Sequence, residues 1–426
     1  MRAGEIRDHL RESRLFGARL SVVASVVVAL TALLFLRLAY IQIVNYRHFA
    51  TLSQENRVKP VPIPPVRGTI FDRNGVVLAQ NYPVLTLEVI PDQVNDMGAM
   101  LAEIGKIVTL NEKDLKLFAR QLRERPRFES LTLRIHLTDQ EAARFALVRH
   151  RWNGVHLRAR LQRHYPQGAL GVHAIGYVGR INEDEMENID KSAYRGTQHI
   201  GKLGIEQSYE ETLLGQVGIN KIETDAHGRE RENRALERER IAPVAGRHLH
   251  LSLDARMQAI AEQALGRMKG VVVALDPKTG ALLTFASTPT YDPNPFVNGI
   301  DTEAYTALRD SKDKPLLNRA LNGQYAPGST IKSFLGLAAL DAGEPPTKQI
   351  TCPGWYSLPG SSHRFRCWKK AGHGTVDLHT AVVQSCDVYF YRLAVTLGIE
   401  RLSTYLAGHG FGSPTAVDIR GESKGA

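Results

Sequence analysis

The sequence predicts an α+β fold carried behind a single N-terminal transmembrane helix, on three observations. Residues 20–36 are apolar apart from Ser21, Ser25 and Thr31. The chain after residue 45 mixes period-two alternation with helical spacing and shows no internal repeat. From Gly246 onward the order is strand, helix, hairpin and then further helices, which is an α+β order. The 426 residues allow two or three domains, and 43% hydrophobic content suits an ordinary globular interior.

At 1.5 Å per residue the apolar run covers roughly 26 Å, close to a bilayer core. Arg37 interrupts it and can reach the interface, after which the apolar pattern continues to Val44, so the anchor is expected over 20–44. A cleaved signal peptide would have a shorter apolar region followed by a small-residue cleavage site, and none follows here. Arg2, Arg7, Arg11, Arg14 and Arg19 precede the run. That bias predicts a cytoplasmic tail over 1–19, a single membrane pass, and a large exported part after residue 45. Net charge is +10, from 54 basic and 44 acidic residues, and no basic motif with interleaved aromatics is read. The lipid bilayer or an anionic polymer is therefore the expected partner of that charge, and nucleic acid is not.

Beyond the anchor, Pro60, Pro62, Pro64 and Pro65 form an extended approach. Asn74-Gly75 between two apolar runs predicts a hairpin, and 82–90 alternates like a strand. Residues 110–125 and 139–149 carry helical spacing with exposed charge. The charge-dense stretch 221–240 reads as extended surface or a ribbon arm. A further domain is expected from Gly246. There Leu249, Leu251 and Leu253 alternate, and Asp254 can cap a helix bearing Met257, Ile260, Ala261, Ala264, Leu265 and Met268. Val271-Val272-Val273-Ala274-Leu275 reads as a buried-type strand, and Asp276-Pro277-Lys278-Thr279-Gly280 as the turn into the next one.

Chemistry concentrates in Tyr325-Ala326-Pro327-Gly328-Ser329-Thr330-Ile331-Lys332. Proline and glycine mark a turn, and a small-and-apolar helix should begin at or just before Ser329. Residues three apart share a helix face, so Ser329 and Lys332 are neighbours. Serine becomes a nucleophile when a base takes its proton, and a lysine brought down from its ordinary value of about 10.4 can be that base. A bare Ser-x-x-Lys arises by chance in many chains, where it is a polar residue beside a solvated lysine.

Set within its octapeptide, the Ser329 tetrad resembles the acylation motif of penicillin-binding proteins. The blocks 67–75 and 201–215 resemble the non-catalytic signatures of their monofunctional, class B members, and 246–258 and 275–289 resemble the opening of the transpeptidase domain. The blocks run in family order from the anchor to the end of the chain, and the elongation-type penicillin-binding protein 2 branch is the most similar. The resemblance implies an elongated non-catalytic pedestal of dimerisation type over 45–245. It implies the N-terminal part of a serine penicillin-recognising transpeptidase domain over 246–426. Ser329 would attack the carbonyl between the last two D-alanines of a peptidoglycan stem peptide, releasing D-alanine. An amine from a neighbouring stem would then resolve the acyl-enzyme into a crosslink, and β-lactams would acylate the same serine. The resemblance also implies a glycosyltransferase of the shape, elongation, division and sporulation (SEDS) group and elongation-complex proteins as partners.

The family's second motif, Ser-x-Asn, is matched by Ser385-Cys386-Asp387, with aspartate in the third place. An ionised aspartate only accepts hydrogen bonds, so Asp387 is expected to orient Lys332 or a backbone group. Ser385 is expected to relay a proton between Lys332 and the leaving group. Lys278-Thr279-Gly280 spells the third motif but precedes Ser329, so it is read as a hairpin turn. The third motif is expected beyond Ala426, and the chain then reads as a C-terminally truncated member. Losing one oxyanion donor costs roughly 100- to 1,000-fold, so the chain as it stands is expected to be inactive or nearly so. Two other readings stand beside this one. A non-catalytic membrane scaffold could activate a peptidoglycan glycosyltransferase, whereas a β-lactam sensor or β-lactamase would lack the 67–75 and 201–215 blocks.

The three cysteines, Cys352, Cys367 and Cys386, share one window with His373. Disulfides are the default outside the cytoplasm, but an odd count leaves one thiol free. Three thiolates and an imidazole make a closed tetrahedral zinc set. Some relatives similar to penicillin-binding protein 2 carry a zinc near this place, so structural zinc is the first reading. One disulfide plus a free thiol, or unlinked buried cysteines, are the others. No organic cofactor is expected.

Overall fold

The computed structural model describes residues 9–45, 58–124, 127, 129–224, 230–231 and 240–425. Arg2 and Arg7 of the basic tail, and most of the charge-dense 221–240 stretch, lie outside the described residues. The chain divides into two compact units.

The first unit comprises residues 1–64 and 217–243. Helix α1 (His9–Ala39) runs on through a π-turn to Val44, and Phe16–Val44 is long and apolar enough to cross a membrane. Its apolar side chains are exposed all round. Ser21 and Thr31 each donate to the carbonyl four residues back, so neither hydroxyl needs another partner in an apolar medium. The Arg37 guanidinium lies 5.6 Å over the Tyr40 ring. The proline-rich approach forms a strand, Val58–Ile63, antiparallel to Gly218–Thr224. That strand in turn pairs with Glu230–Arg231.

The second unit holds 65–216 and 244–426. Its main sheet runs in the order Leu249–His250, Ile70–Phe71, Val77–Val89, Leu131–Arg134, and Val155–His164 also pairs along Val77–Val89. The hairpin expected at Asn74-Gly75 is present, and its second arm and the 82–90 strand are one continuous strand, Val77–Val89. Helices Glu112–Glu124 and Asp139–Val148 stand where the spacing puts them, the second started by a Thr138/Glu141 capping box. Phe118 and Phe145 pack with Leu87, Val89 and Leu133 in one core.

A second core unites Ile70, Tyr165 and Leu213 with Leu253, Phe285 and Leu321, so residues on both sides of Gly246 share it. Two buried polar knots tie it down. The Asp72 carboxylate accepts from the backbone N–H of Asn74, Val76 and Ala255, which docks the hairpin turn on the start of helix α2 (Ala255–Leu265). Asp254 caps that helix through the N–H groups of Arg256 and Met257. Glu206, fully buried, accepts from Arg163 at 2.6 Å, Arg67 at 2.8 Å and the Tyr165 hydroxyl at 3.1 Å. Burial raises the Glu206 carboxyl, and the two guanidiniums outweigh that and hold it below the ordinary range.

Two expectations fail. Met257, Ile260, Ala264 and Met268 of the expected apolar stripe are exposed; of that stripe α2 buries Ala261, together with Ala255 and Gln258, which lay outside it. The cause is Gln258, whose amide donates to the Phe285 carbonyl and accepts from the Phe285 N–H, turning that face inward. The strand Gly270–Leu275 is not buried, because among the described residues it pairs only with Leu282–Thr288, and Val273 and Leu275 face outward. Lys278-Thr279-Gly280 is the turn of that hairpin.

A third core, with Ala338, Ala339, Ile350, Val376, Tyr389, Phe390 and Leu393, packs helix α3 (Lys332–Asp341) against helix α4 (Asp387–Leu397). The small residues of α3 let the two helices close. Lys332 and Asp387, the first residue of each helix, thereby meet.

Candidate active site

Ser329 is exposed in a 3-10 turn, Gly328–Ile331, that leads into α3. The helix therefore opens with the tighter turn common at helix N-termini, and its α-helical part starts at Lys332. Lys332 is 8% exposed. Its Nζ donates to the Ser385 carbonyl and to Ser385 Oγ, each at 2.9 Å, and to Asp387 Oδ1 at 2.5 Å. An ammonium has three donors, and all three are committed.

Ser385 Oγ is in turn 2.9 Å from Ser329 Oγ. Among the described residues the connection from Ser329 to Lys332 thus passes through Ser385 rather than directly. Ser385 holds a left-handed backbone, φ 49°, a conformation that costs a non-glycine residue of order 1 kcal/mol or more and collects at functional sites. That bend lets one residue offer both its carbonyl and its hydroxyl to the same ammonium.

Asp387 uses its second oxygen to accept from the Trp368 N–H at 2.9 Å, and the Trp368 indole donates to the Gln384 carbonyl at 3.0 Å. Burial raises the Asp387 carboxyl, but the hydrogen bonds from Lys332 and Trp368 outweigh it, so the group stays ionised below the usual carboxylate range. Trp368 and Gln384 carry no signal in sequence, because Trp368 reaches Asp387 through its main-chain N–H and Gln384 offers only its carbonyl. The one available hint is that Trp368 follows Cys367.

Cys352, Cys367 and Cys386 are buried free thiols, and their sulfurs and a His373 nitrogen lie within 4.8 Å of one another. His373 Nδ1 stands 3.5 Å from Cys367 Sγ and 3.7 Å from Cys352 Sγ. The chain folds this way because two glycines permit a tight crossing. A Cβ on Gly354 would stand 2.2 Å from the Lys370 carbonyl oxygen, and one on Gly372 2.1 Å from that of Cys352. This buried cluster could hold a metal ion.

Residues 62–251 match the penicillin-binding protein dimerisation domain, and 270–426 match the penicillin-binding protein transpeptidase domain. The peptidoglycan D,D-transpeptidase MrdA of Acinetobacter baumannii is 41% identical over 99% of this chain and 62% of its own length. MrdA of Escherichia coli is 38% identical over 98% of this chain and 66% of its own. The structure of a Helicobacter pylori complex between penicillin-binding protein PBP2 and MreC superposes with a TM-score of 0.72 at 30% identity, covering 86% of this chain and 68% of that one. The chain belongs to the class B penicillin-binding proteins of PBP2 type. It spans less than two thirds of the length of the curated relatives, 62% and 66%. In this class B penicillin-binding protein, the Arg67 and Glu206 blocks quoted from sequence are in direct contact across the second core, Arg67 on Glu206 and Glu210.

Proposed function

We propose that this class B penicillin-binding protein serves peptidoglycan crosslinking as a D,D-transpeptidase during cell elongation. The observation that carries the reading is the unbroken chain Ser329, Ser385, Lys332, Asp387. Once Lys332 has released one proton, its amine accepts the Ser385 proton while Ser385 takes that of Ser329. The Ser329 oxygen then forms the ester bond to the penultimate D-alanine, and the relay returns the proton to the departing D-alanine amine. Asp387 keeps the Lys332 amine aimed and supplies the opposite charge when it is protonated. The positive end of the turn below Ser329 favours the developing alkoxide. A stem-peptide amine completes the cycle by displacing Ser329, and a β-lactam stops it at the ester.

The division 45–245 pedestal and 246–426 transpeptidase domain fits this role, with 20–44 as the inner-membrane anchor, 1–19 cytoplasmic and the rest periplasmic. An MreC-type protein and a SEDS glycosyltransferase are the elongation partners we assign. Zinc fits the thiol cluster. In a tetrahedral site with Zn–S near 2.3 Å and Zn–N near 2.0 Å, the N···S separation is about 3.5 Å, beside the 3.5 and 3.7 Å found. Burial pushes the Cys386 thiol up to about 12, so a cation is what would ionise it. Cys352, Cys367, His373 and Cys386 would hold the ion, whose contribution is structural.

The test is labelling of the full-length protein in membranes with fluorescent penicillin. Labelling should occur, be chased by unlabelled β-lactam, and vanish in Ser329→Ala. A Ser329→Ala protein that still labels would sink the reading.

A further inference from the structure

Contrary to the expectation of no basic motif with interleaved aromatics, His363-Arg364-Phe365-Arg366-Cys367-Trp368-Lys369-Lys370 is one, and every residue of it except Cys367 is exposed. Trp355 and Phe365 face each other's strands in a small hairpin, Trp355–Tyr356 with Phe365–Arg366. The Arg364 guanidinium stacks 4.3 Å over the Trp355 ring. Between Pro345 and Val376 there is no carboxylate at all. Among the described residues Arg364, Arg366, Lys369 and Lys370 have no ion-pair partner. A run of charges is usually a solvated face, but this one is pinned. Cys367 belongs to the thiol cluster, and the next residue, Trp368, donates its N–H to Asp387, which touches Lys332. Phe365 lies 5.9 Å from Tyr391, on the same helix as Asp387 and one turn along. Four cations without a carboxylate partner among the described residues therefore flank Trp368, whose N–H reaches Asp387 beside Lys332.

We propose that this hairpin and its basic flank dock the second, amine-bearing stem peptide, with the cations on its free carboxylates and the rings under its backbone. The inference rests on the transpeptidase reading and adds where the acceptor binds. Guanidiniums suit carboxylates through paired, planar hydrogen bonds, and the stacked Arg364 is already oriented. A stem held there would bring its amine toward Ser329 from the Trp368 side, and the charges would raise its local concentration.

The experiment measures fluorescence anisotropy of a labelled stem tetrapeptide, with a free side-chain amine and free carboxylates, on full-length Ser329→Ala protein in detergent. Removing the nucleophile separates binding from acylation, so failure of penicillin labelling in the parent counts against the transpeptidase reading alone. Changing Arg364, Arg366, Lys369 and Lys370 together to Gln should weaken the peptide on the order of tenfold. The change should leave a carboxyl-amidated peptide unaffected, and added salt should weaken the parent complex. Arg364→Lys with Arg366→Lys should retain most of the binding. Any of four results overturns the proposal: no binding by the parent, equal binding by the Gln variant, equal loss with the Lys variant, or tighter binding of a short single-stranded DNA than of the peptide.

Discussion

Lys332 is satisfied as an ammonium, and the same contacts that satisfy it place Ser385 between it and Ser329. If the Ser385 hydroxyl is the relay, its loss matters whatever replaces it. Ser385→Ala keeps the left-handed strain and Ser385→Gly relieves it, by about 1 kcal/mol. Both should slow acylation by fluorescent penicillin about 100-fold or more, the range of a positioned proton-transfer group. Thermal unfolding should meanwhile rank glycine above alanine. A variant that acylates like the parent would remove Ser385 from the relay, and equal unfolding midpoints would remove the strain. Ser329 and Lys332 were legible because their relation is local, three residues on one turn. Where Ser385 lies was not legible, because its contact with Lys332 closes over 53 residues. Trp368 was not legible, since the group that binds Asp387 is a main-chain N–H that any residue carries.

At the scale of elements, local chemistry was readable and facing was not. The Asn74-Gly75 turn, the Asp254 cap and the Lys278-Thr279-Gly280 turn follow from residue conformation and short-range hydrogen bonds. Which side of α2 is buried follows from Gln258 reaching the Phe285 backbone, which periodicity cannot see. Asp72 links both kinds of element. Burial raises its carboxyl, and the N–H groups of Ala255, Val76 and Asn74 more than reverse this, leaving it lowered. A lowered carboxyl adds stability above its unfolded value, about 3.9, and that stability is lost as pH falls through the folded value. Acid unfolding followed by circular dichroism should therefore begin below about pH 4, and less steeply in Asp72→Asn than in the parent. Asp72→Ala should cost about 2–3 kcal/mol at neutral pH by urea unfolding, because buried N–H groups lose their acceptor. Unchanged stability in Asp72→Ala would mean that water replaces the carboxylate.

Across the whole molecule, long-range closure is carried by a few buried polar groups and one cluster of thiols. The contact of Asp72 with the Ala255 N–H and the shared second core join residues that a boundary at Gly246 would separate, and nothing in residue order announces that sharing. The thiol cluster was legible as a set, because three cysteines and a histidine in one window are few enough to be read together. Its reach is structural: it gathers the strand at Cys352, the loop at Cys367 and His373, and Cys386 in the middle of the second motif. Cys352 touches neither Ser329 nor Lys332 in the described contacts, which makes it the discriminating position. Purified protein should carry about one zinc per chain by elemental analysis. Cys352→Ala should lower that content and slow penicillin acylation about 10- to 100-fold, the usual reach of a group that holds a site through another. A strong chelator should do the same to the parent, and zinc should restore the parent but not the variant. If the metal only braces the fold remote from Ser385, the variant will melt earlier yet acylate at the parental rate. Zinc-free protein with a Cys352–Cys367 disulfide by mass spectrometry would instead make the cluster a redox staple that leaves Cys386, beside Ser385, a free thiol.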